Sequence, residues 1–251
     1  MLKKRSNHFN TTVNIISSVG VLITNLCISF FLSPYIIKTI GVEANGFVTL
    51  ANNFTAYADL VVTALNGMAA RFITIEYIRK DYKKANLYYN SVFWGNLIIV
   101  AVLLIPAAVI VVRLQNYIDV PTNILVDVKL LFSIVFLGFF IRTGAPNYDC
   151  GTYISNRMDL SYIPSMITAV IRCIFLVCIF SILAPKVWYV GMASLIVTLI
   201  TLAVAGYNTH RLTPELKVSL KKPICSLAAI RELLGAGMWN SVSSAGNMLL
   251  S

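Results

Sequence analysis

The chain has 251 residues, of which 58% are hydrophobic and 12% are charged, and its formal net charge is +10 at pH 7. Because soluble domains carry about a quarter charged residues, this composition excludes an ordinary soluble protein and predicts an all-α integral membrane protein. The basic residues lie between long apolar stretches and form no single patch, which argues against nucleic acid as a partner and in favour of membrane lipid.

Six stretches are long enough to cross a bilayer, which takes about 20 helical residues. The predicted spans are 11–37, 45–75, 87–112, 125–145, 159–183 and 187–208. A seventh helix begins near Ala229 and remains apolar to the last residue. We therefore expect a six-span bundle (1–208), a basic cytoplasmic linker (209–228) and the start of helix seven (229–251), which would belong to a second lobe missing from a truncated chain.

The basic residues also predict the orientation of the chain. When the loops are assigned alternately to the two sides, fifteen of the 20 Lys and Arg fall on the side of the N-terminus and four on the other, while Arg172 lies within the fifth span. Since cytoplasmic loops carry the excess of positive charge, the N-terminus is predicted to be cytoplasmic.

Polar residues form a stripe along each of four predicted helices. At 100° per residue, the stripe of the second span covers about 80° and that of the first about 60°. The stripes comprise Asn14, Ser18, Asn25 and Ser29 in the first span; Asn45, Asn52, Thr55, Asp59, Thr63 and Asn66 in the second; Arg157, Ser161, Ser165, Thr168 and Arg172 in the fifth; and Asn240, Ser243, Ser244 and Asn247 in the seventh helix. They predict a shared hydrated cavity; the alternative is that they hydrogen-bond packed helices together.

Two charged residues fall well inside predicted spans, where a charge costs about 2.5–3.5 kcal/mol. Asp59 and Arg172 therefore need a partner or water: they pair with each other or with the backbone, or they handle a substrate or an ion. Arg71 and Arg142 lie near the cytoplasmic ends of their spans. Their guanidinium groups extend to lipid headgroups or bind phosphate in a bidentate way.

Several motifs then point to a family. They are Ile40-Gly41-Val42, Gly46-Phe47, Asn66-Gly67, Arg71-Phe72, the run Asp81-Tyr82-Lys83-Lys84-Ala85-Asn86 and Gly237-Met238-Trp239. With them the chain resembles the N-terminal half of the polysaccharide flippases, which belong to the multidrug/oligosaccharidyl-lipid/polysaccharide exporter superfamily.

The resemblance implies a two-lobed transporter in the bacterial inner membrane that works by alternating access. Such a protein would flip undecaprenyl-pyrophosphate-linked oligosaccharide repeat units for cell-surface polysaccharide synthesis, such as O-antigen. A pyrophosphate headgroup needs a hydrated path with cationic and hydrogen-bonding walls. Asp59 would be the carboxylate for coupling to H+ or Na+. The expected substrate-binding residues are Arg71, Arg142, Arg172, Asn25, Asn52, Asn66 and Asn240.

Other functions fit parts of this pattern. A drug or cation exporter of the same superfamily would share the fold but would favour unpaired carboxylates in its cavity. A transporter of the major facilitator type fits the six-span topology, but its usual glycine- and arginine-rich loop after the second helix is absent here. A membrane-embedded glycosyltransferase or polymerase would resemble a chain with a large hydrophilic loop.

Enzyme activity is not expected from the motifs in the sequence. The sequence has no P-loop, no H-E-x-x-H and no G-x-S-x-G, and its five cysteines show no C-x-x-C spacing. We therefore expect no catalytic residue, no metal and no cofactor.

Overall fold

The computed structural model of the chain describes residues 7–219 and 225–249, and the side chains of these except at 7, 8, 240, 241, 245 and 247–249. Within these residues the chain is helical, and no strand occurs. The helices are α1 (Asn7–Ile40), α2 (Val42–Asn66), α3 (Ala69–Ile78), α4 (Tyr82–Val112), α5 (Leu114–Tyr117), α6 (Leu125–Gly144), α7 (Asp149–Ile154), α8 (Asp159–Ile182), α9 (Trp188–Leu212) and α10 (Leu227–Leu249). The all-α prediction is confirmed for the described residues.

Five helical stretches within the described residues are long and apolar enough to cross a membrane. They are Phe9–Ile40, Val42–Ile78, Tyr82–Val112, Asp159–Ile182 and Trp188–Leu212. Helix α6 has 20 residues, and every stretch of 18 within it includes Asp127, Lys129 and Arg142. The predicted count of six spans is therefore not confirmed, because charges near both ends of α6 shorten its apolar core.

Local signals explain where several helices begin and end. Gly41 separates α1 from α2 with a φ of 92°, a conformation that suits glycine. Asp81 caps α4 by accepting a hydrogen bond of 3.0 Å from the backbone N–H of Lys84. The predicted span 45–75 is two helices, since the chain turns at 67–68, and α9 runs four residues into the segment expected to be a linker.

Helix α6 lies at the centre of the bundle, where it packs against α2, α4 and α9. Helix α8 packs between α1 and α9. Phe132 on α6 is fully buried and makes edge-to-face contacts with Phe54 and Phe136, with ring centroids 6.1 and 5.8 Å apart. Because α6 carries Arg142 at its end, this packing also determines where that guanidinium lies.

The outer surface of α1 is strongly apolar. Ile16, Phe30 and Phe31 are 66%, 76% and 71% exposed. An exposed apolar surface of this kind suits hydrocarbon, so the structure agrees with a membrane environment.

A short segment after α9, residues 213–219, is held along the start of α4, and we call it the strap. Asn86 donates to the Glu215 carbonyl at 2.8 Å and accepts from the Lys217 N–H at 2.9 Å. Asn90 donates to the Lys217 carbonyl at 2.9 Å and accepts from the Ser219 N–H at 2.7 Å. The distance between the two asparagines along α4 matches the distance between their partners along the strap. Four helical residues rise about 6 Å, and two extended residues span about 6.6 Å.

Helix α10 packs against α2 and α4. The Tyr88 hydroxyl donates to the Glu232 carboxylate at 2.7 Å. A Cβ atom at Gly237 would collide with the Ala64 carbonyl oxygen of α2, so this close approach requires glycine. The Gly237-Met238-Trp239 motif therefore lies where the seventh helix meets the second span.

Candidate functional site

A polar cavity of about 560 Å³ lies between α2, α6, α7 and α9, and we call it the main cavity. The four helices contribute acidic, basic, amide and hydroxyl groups, and Asn96 adds one amide from α4. The polar groups include Asp59, Thr63, Asn66, Asn96, Arg142, Asn147, Asp149, Thr198 and Thr201. The main cavity thus brings together three predicted site residues, namely Asp59 and Asn66 of α2 and Arg142 of α6. It also contains residues that the sequence analysis did not predict.

Asp59 and Arg142 form an ion pair in this cavity. Nη2 of Arg142 lies 3.0 Å from Oδ1 of Asp59, and the two side chains remain 54% and 41% exposed. The Arg142 guanidinium also lies 5.9 Å from the centroid of the Phe139 ring, which is within reach of a cation–π contact. Asp59 therefore pairs with Arg142, and the alternative pairing with Arg172 is wrong.

Asn66 and Asn96 pair through their side-chain amides. Asn66 donates to Asn96 at 2.8 Å, and Asn96 donates back to Asn66 at 3.1 Å. Asn66 also donates to the Val62 carbonyl of its own helix at 3.0 Å. This pair joins α2 to α4. For Asn66, the alternative that polar stripe residues hydrogen-bond packed helices together therefore applies in part.

Several cavity residues were missed by sequence reasoning. Thr198 and Thr201 lie on one face of α9 together with Ser194, since i, i+4 and i+7 share a face, and that spacing is a signal the sequence contains. Asp149 is the first residue of the short helix α7, and only its position in the fold shows that it faces the cavity. The surrounding protein atoms raise the pKa of the Asp149 carboxyl by desolvation, although the residue itself remains solvent-accessible.

Two smaller cavities adjoin the main cavity. One, of about 220 Å³, shares Arg142 and Thr198 with it and adds Asn52, Thr55 and Ser194; we call it the arginine pocket. The other, of about 370 Å³, shares Asp149 and Thr201 and is lined by Ser161 and Ser165 of α8. The polar stripe of the second span therefore faces this system of cavities, and two serines of the fifth-span stripe do so as well.

The stripe of the first span serves another purpose. Asn14 donates to the Asn156 side chain at 3.1 Å and accepts from the Asp159 N–H at 3.0 Å, so it joins α1 to the start of α8. Asn25 is exposed and is not among the described residues that line the main cavity. The prediction that all four stripes meet in one interior is thus not met by α1.

Arg157, at the other end of the fifth-span stripe, is bound to the neighbouring Asp159. Two of its nitrogens donate to the Asp159 carboxylate, at 2.8 and 2.9 Å. This hydrogen bonding raises the pKa of the Arg157 guanidinium. Arg157 therefore has a structural partner.

The remaining arginines are separate from the main cavity. Arg71 is exposed at the start of α3 and has no hydrogen-bond partner among the described residues. Nε of Arg172 is buried in α8 and has no hydrogen-bond partner within the described ranges. Neither is among the described residues that line the main cavity. Asn240 lies outside the described side chains.

Metal binding has no support from side-chain positions. Within 7–219 and 225–249, no three His, Cys, Asp or Glu side chains lie close enough to hold a metal ion together. Of the described cysteines, Cys150 is buried, and burial raises the pKa of its thiol to about 12.

These features define a multi-pass, all-α membrane protein with a polar cavity among its helices. The chain is 30% identical over 244 residues, 95% of its length, to the uncharacterized membrane protein EpsK of Bacillus subtilis (strain 168). It spans 47% of that protein, so it matches about half the length of this curated relative. No family model and no solved structure matches the chain.

Proposed function

We propose that this chain forms the first lobe of a transporter that flips a lipid-linked oligosaccharide, with its pyrophosphate bound at Arg142. The observation that carries the proposal is the position of Arg142 at a polar cavity among membrane-spanning helices, where its side chain is 54% exposed. A charge in that setting is costly unless it is paired or hydrated, and such charges commonly mark substrate or ion pathways.

The chemistry of the main cavity suits such a headgroup. Guanidinium binds phosphate oxygens in a bidentate geometry, and hydrogen bonds to charged groups are about twice as strong as neutral ones. Asn66, Thr198 and Thr201 offer donors and acceptors for sugar hydroxyls. The same cavity thus provides charge for a pyrophosphate and neutral polar groups for sugars.

Asp59 would compete with the pyrophosphate for Arg142. While the carboxylate is ionised, it occupies one side of the guanidinium through the 3.0 Å contact. Protonation of Asp59, or a cation bound to it, would release Arg142 for the headgroup. This exchange would link transport to H+ or Na+ and would let alternating access proceed with the second lobe.

The proposed setting is the bacterial inner membrane with the N-terminus in the cytoplasm. The excess of Lys and Arg on one side supports this orientation. Helix α6 would then cross the membrane as the fourth of six spans, because it packs at the centre of the bundle among α2, α4 and α9.

The test is binding of inorganic pyrophosphate to the purified chain in lipid nanodiscs. Arg142→Gln should weaken binding by about tenfold or more, because a charged hydrogen bond contributes about 1.5–3 kcal/mol. Arg113→Gln is the matched control, since Arg113 is exposed at the end of α4 away from the cavity. Equal binding by the two variants would reject Arg142 as the pyrophosphate site.

A drug or cation exporter is the second candidate, and Asp149 favours it. Asp59 and Asp149 line the same main cavity, so a cation would meet two carboxylates there. In that case tetraphenylphosphonium should bind to the same nanodiscs more tightly than pyrophosphate, and Asp149→Asn should weaken its binding.

A further inference from the structure

An apolar groove of about 280 Å³ lies between α2, α4 and α6, and we call it the tail groove. Its walls are almost entirely aromatic and aliphatic. They include Phe54, Ala58, Pro106, Ala107, Phe136 and Phe139. The groove therefore suits a hydrocarbon chain and offers little to a polar ligand.

The sequence explains why a groove forms at this place. Ala58 on α2 and Ala107 on α4 leave room that larger side chains would fill. Pro106 lies inside α4, where proline removes one backbone hydrogen bond and bends a helix. Phe136 and Phe139 lie three residues apart on one face of α6 and line the groove with aromatic rings.

The tail groove adjoins the polar cavities, with which it shares wall residues. Thr55 and Phe139 line both the tail groove and the arginine pocket. Arg142 and Thr198 then line both the arginine pocket and the main cavity. The Arg142 guanidinium lies 5.9 Å from the ring centroid of Phe139, so a cation lies close to one wall of the groove.

We propose that the tail groove binds the hydrocarbon tail of the lipid-linked substrate while Arg142 binds its phosphate. The inference rests on the proposed function, because it assigns the tail of the same ligand. Charge complementarity supports this occupant, since the Arg142 guanidinium lies 5.9 Å from the ring of Phe139, a wall of the groove, and would meet the anionic headgroup that joins tail to sugars. The groove holds only a short length of the tail, and the rest remains in the bilayer.

The groove would orient the substrate more than it would attract it. Bilayer hydrocarbon is as apolar as the groove, so the gain comes from van der Waals contact with ordered aromatic rings. A tail held there would keep the pyrophosphate beside Arg142. Blocking the groove should therefore affect long-chain pyrophosphates and leave inorganic pyrophosphate unaffected.

The experiment compares undecaprenyl pyrophosphate with inorganic pyrophosphate on the purified chain in lipid nanodiscs. Ala58→Trp fills the groove and should weaken undecaprenyl pyrophosphate binding by about tenfold, while inorganic pyrophosphate binds as before. Ala101→Trp is the matched control, because Ala101 is an exposed alanine of α4 outside the groove. Ala107→Phe blocks the groove from α4 and tests the same point if the first variant does not fold.

The outcomes separate the two proposals. If both groove variants bind undecaprenyl pyrophosphate as well as Ala101→Trp does, the tail groove is rejected, whatever Arg142→Gln shows. If Arg142→Gln binds both ligands normally while Ala58→Trp weakens only the long-chain one, the headgroup assignment fails and the groove stands. Equal competition by phosphatidic acid would show a general lipid site and would overturn the proposal.

Discussion

The strap and the main cavity both depend on polar side chains of the helices, but these side chains differ in burial and in the number of partners they have. In the strap, Asn90 is fully buried, and its amide oxygen and nitrogen bond to the backbone of Ser219 and Lys217. In the main cavity, Asp59 and Arg142 remain about half exposed and share one contact. Polar groups that are saturated stabilise a fold, whereas groups that keep free hydrogen-bonding capacity can exchange partners with a ligand.

This difference predicts opposite consequences for substitutions in the two regions. Loss of a strap residue should affect stability first. Loss of a residue at the main cavity should affect ligand binding first and stability less. Three experiments test the contrast, from the largest expected effect on stability to the smallest.

Asn90→Leu should lower the free energy of unfolding by about 1–3 kcal/mol, because the Lys217 carbonyl and the Ser219 N–H lose their partner. Hydrogen exchange should accelerate in residues 213–219, since the Asn90 side chain no longer bonds to the backbone of this segment. Asn53→Leu is the control, as Asn53 is exposed on α2 and should change neither quantity. Unchanged exchange in 213–219 would show that the asparagines do not hold the strap.

The effects of Asn66→Leu and Asn96→Leu on the free energy of unfolding should show a coupling energy of about 0.6 kcal/mol. This is the average for hydrogen bonds between membrane helices. Each single variant leaves the other amide unpaired, so the double variant should cost less than the sum of the two. Unfolding of all four proteins in detergent measures the coupling energy. A coupling energy near zero would show that the Asn66–Asn96 contact does not stabilise the fold. The two amides would then be available to a ligand, like the other polar groups of the main cavity.

Asp59→Asn should change the free energy of unfolding by less than about 1 kcal/mol, because ion pairs between exposed side chains contribute little. It should strengthen pyrophosphate binding, since Arg142 no longer shares its charge with a carboxylate. Thermal unfolding and pyrophosphate titration in nanodiscs measure the two effects. A large loss of stability with unchanged binding would make this pair a structural contact like those of the strap.

Part of the candidate site could be predicted from residue spacing. The stripe of the second span and the terminal position of Arg142 follow from a period of 3.6 residues and from the length of each apolar stretch. Asn96 and Asp149 could not be predicted in this way. Asn96 lies six residues after Asn90 on α4 and so does not share its face, and Asp149 begins the short helix α7, so neither belongs to a polar stripe.

The sequence by itself determined that the chain is helical, that it suits a membrane and that α2 carries a polar face, since apolar length, charge placement and helical period are local properties. Only the tertiary structure decided that Asp59 pairs with Arg142, that Asn14 binds the start of α8 and that Asn90 holds the strap. Each of these contacts joins residues at least 83 positions apart, and such partners depend on how the helices pack around α6. A helical period states which face a residue occupies, whereas packing determines what that face meets.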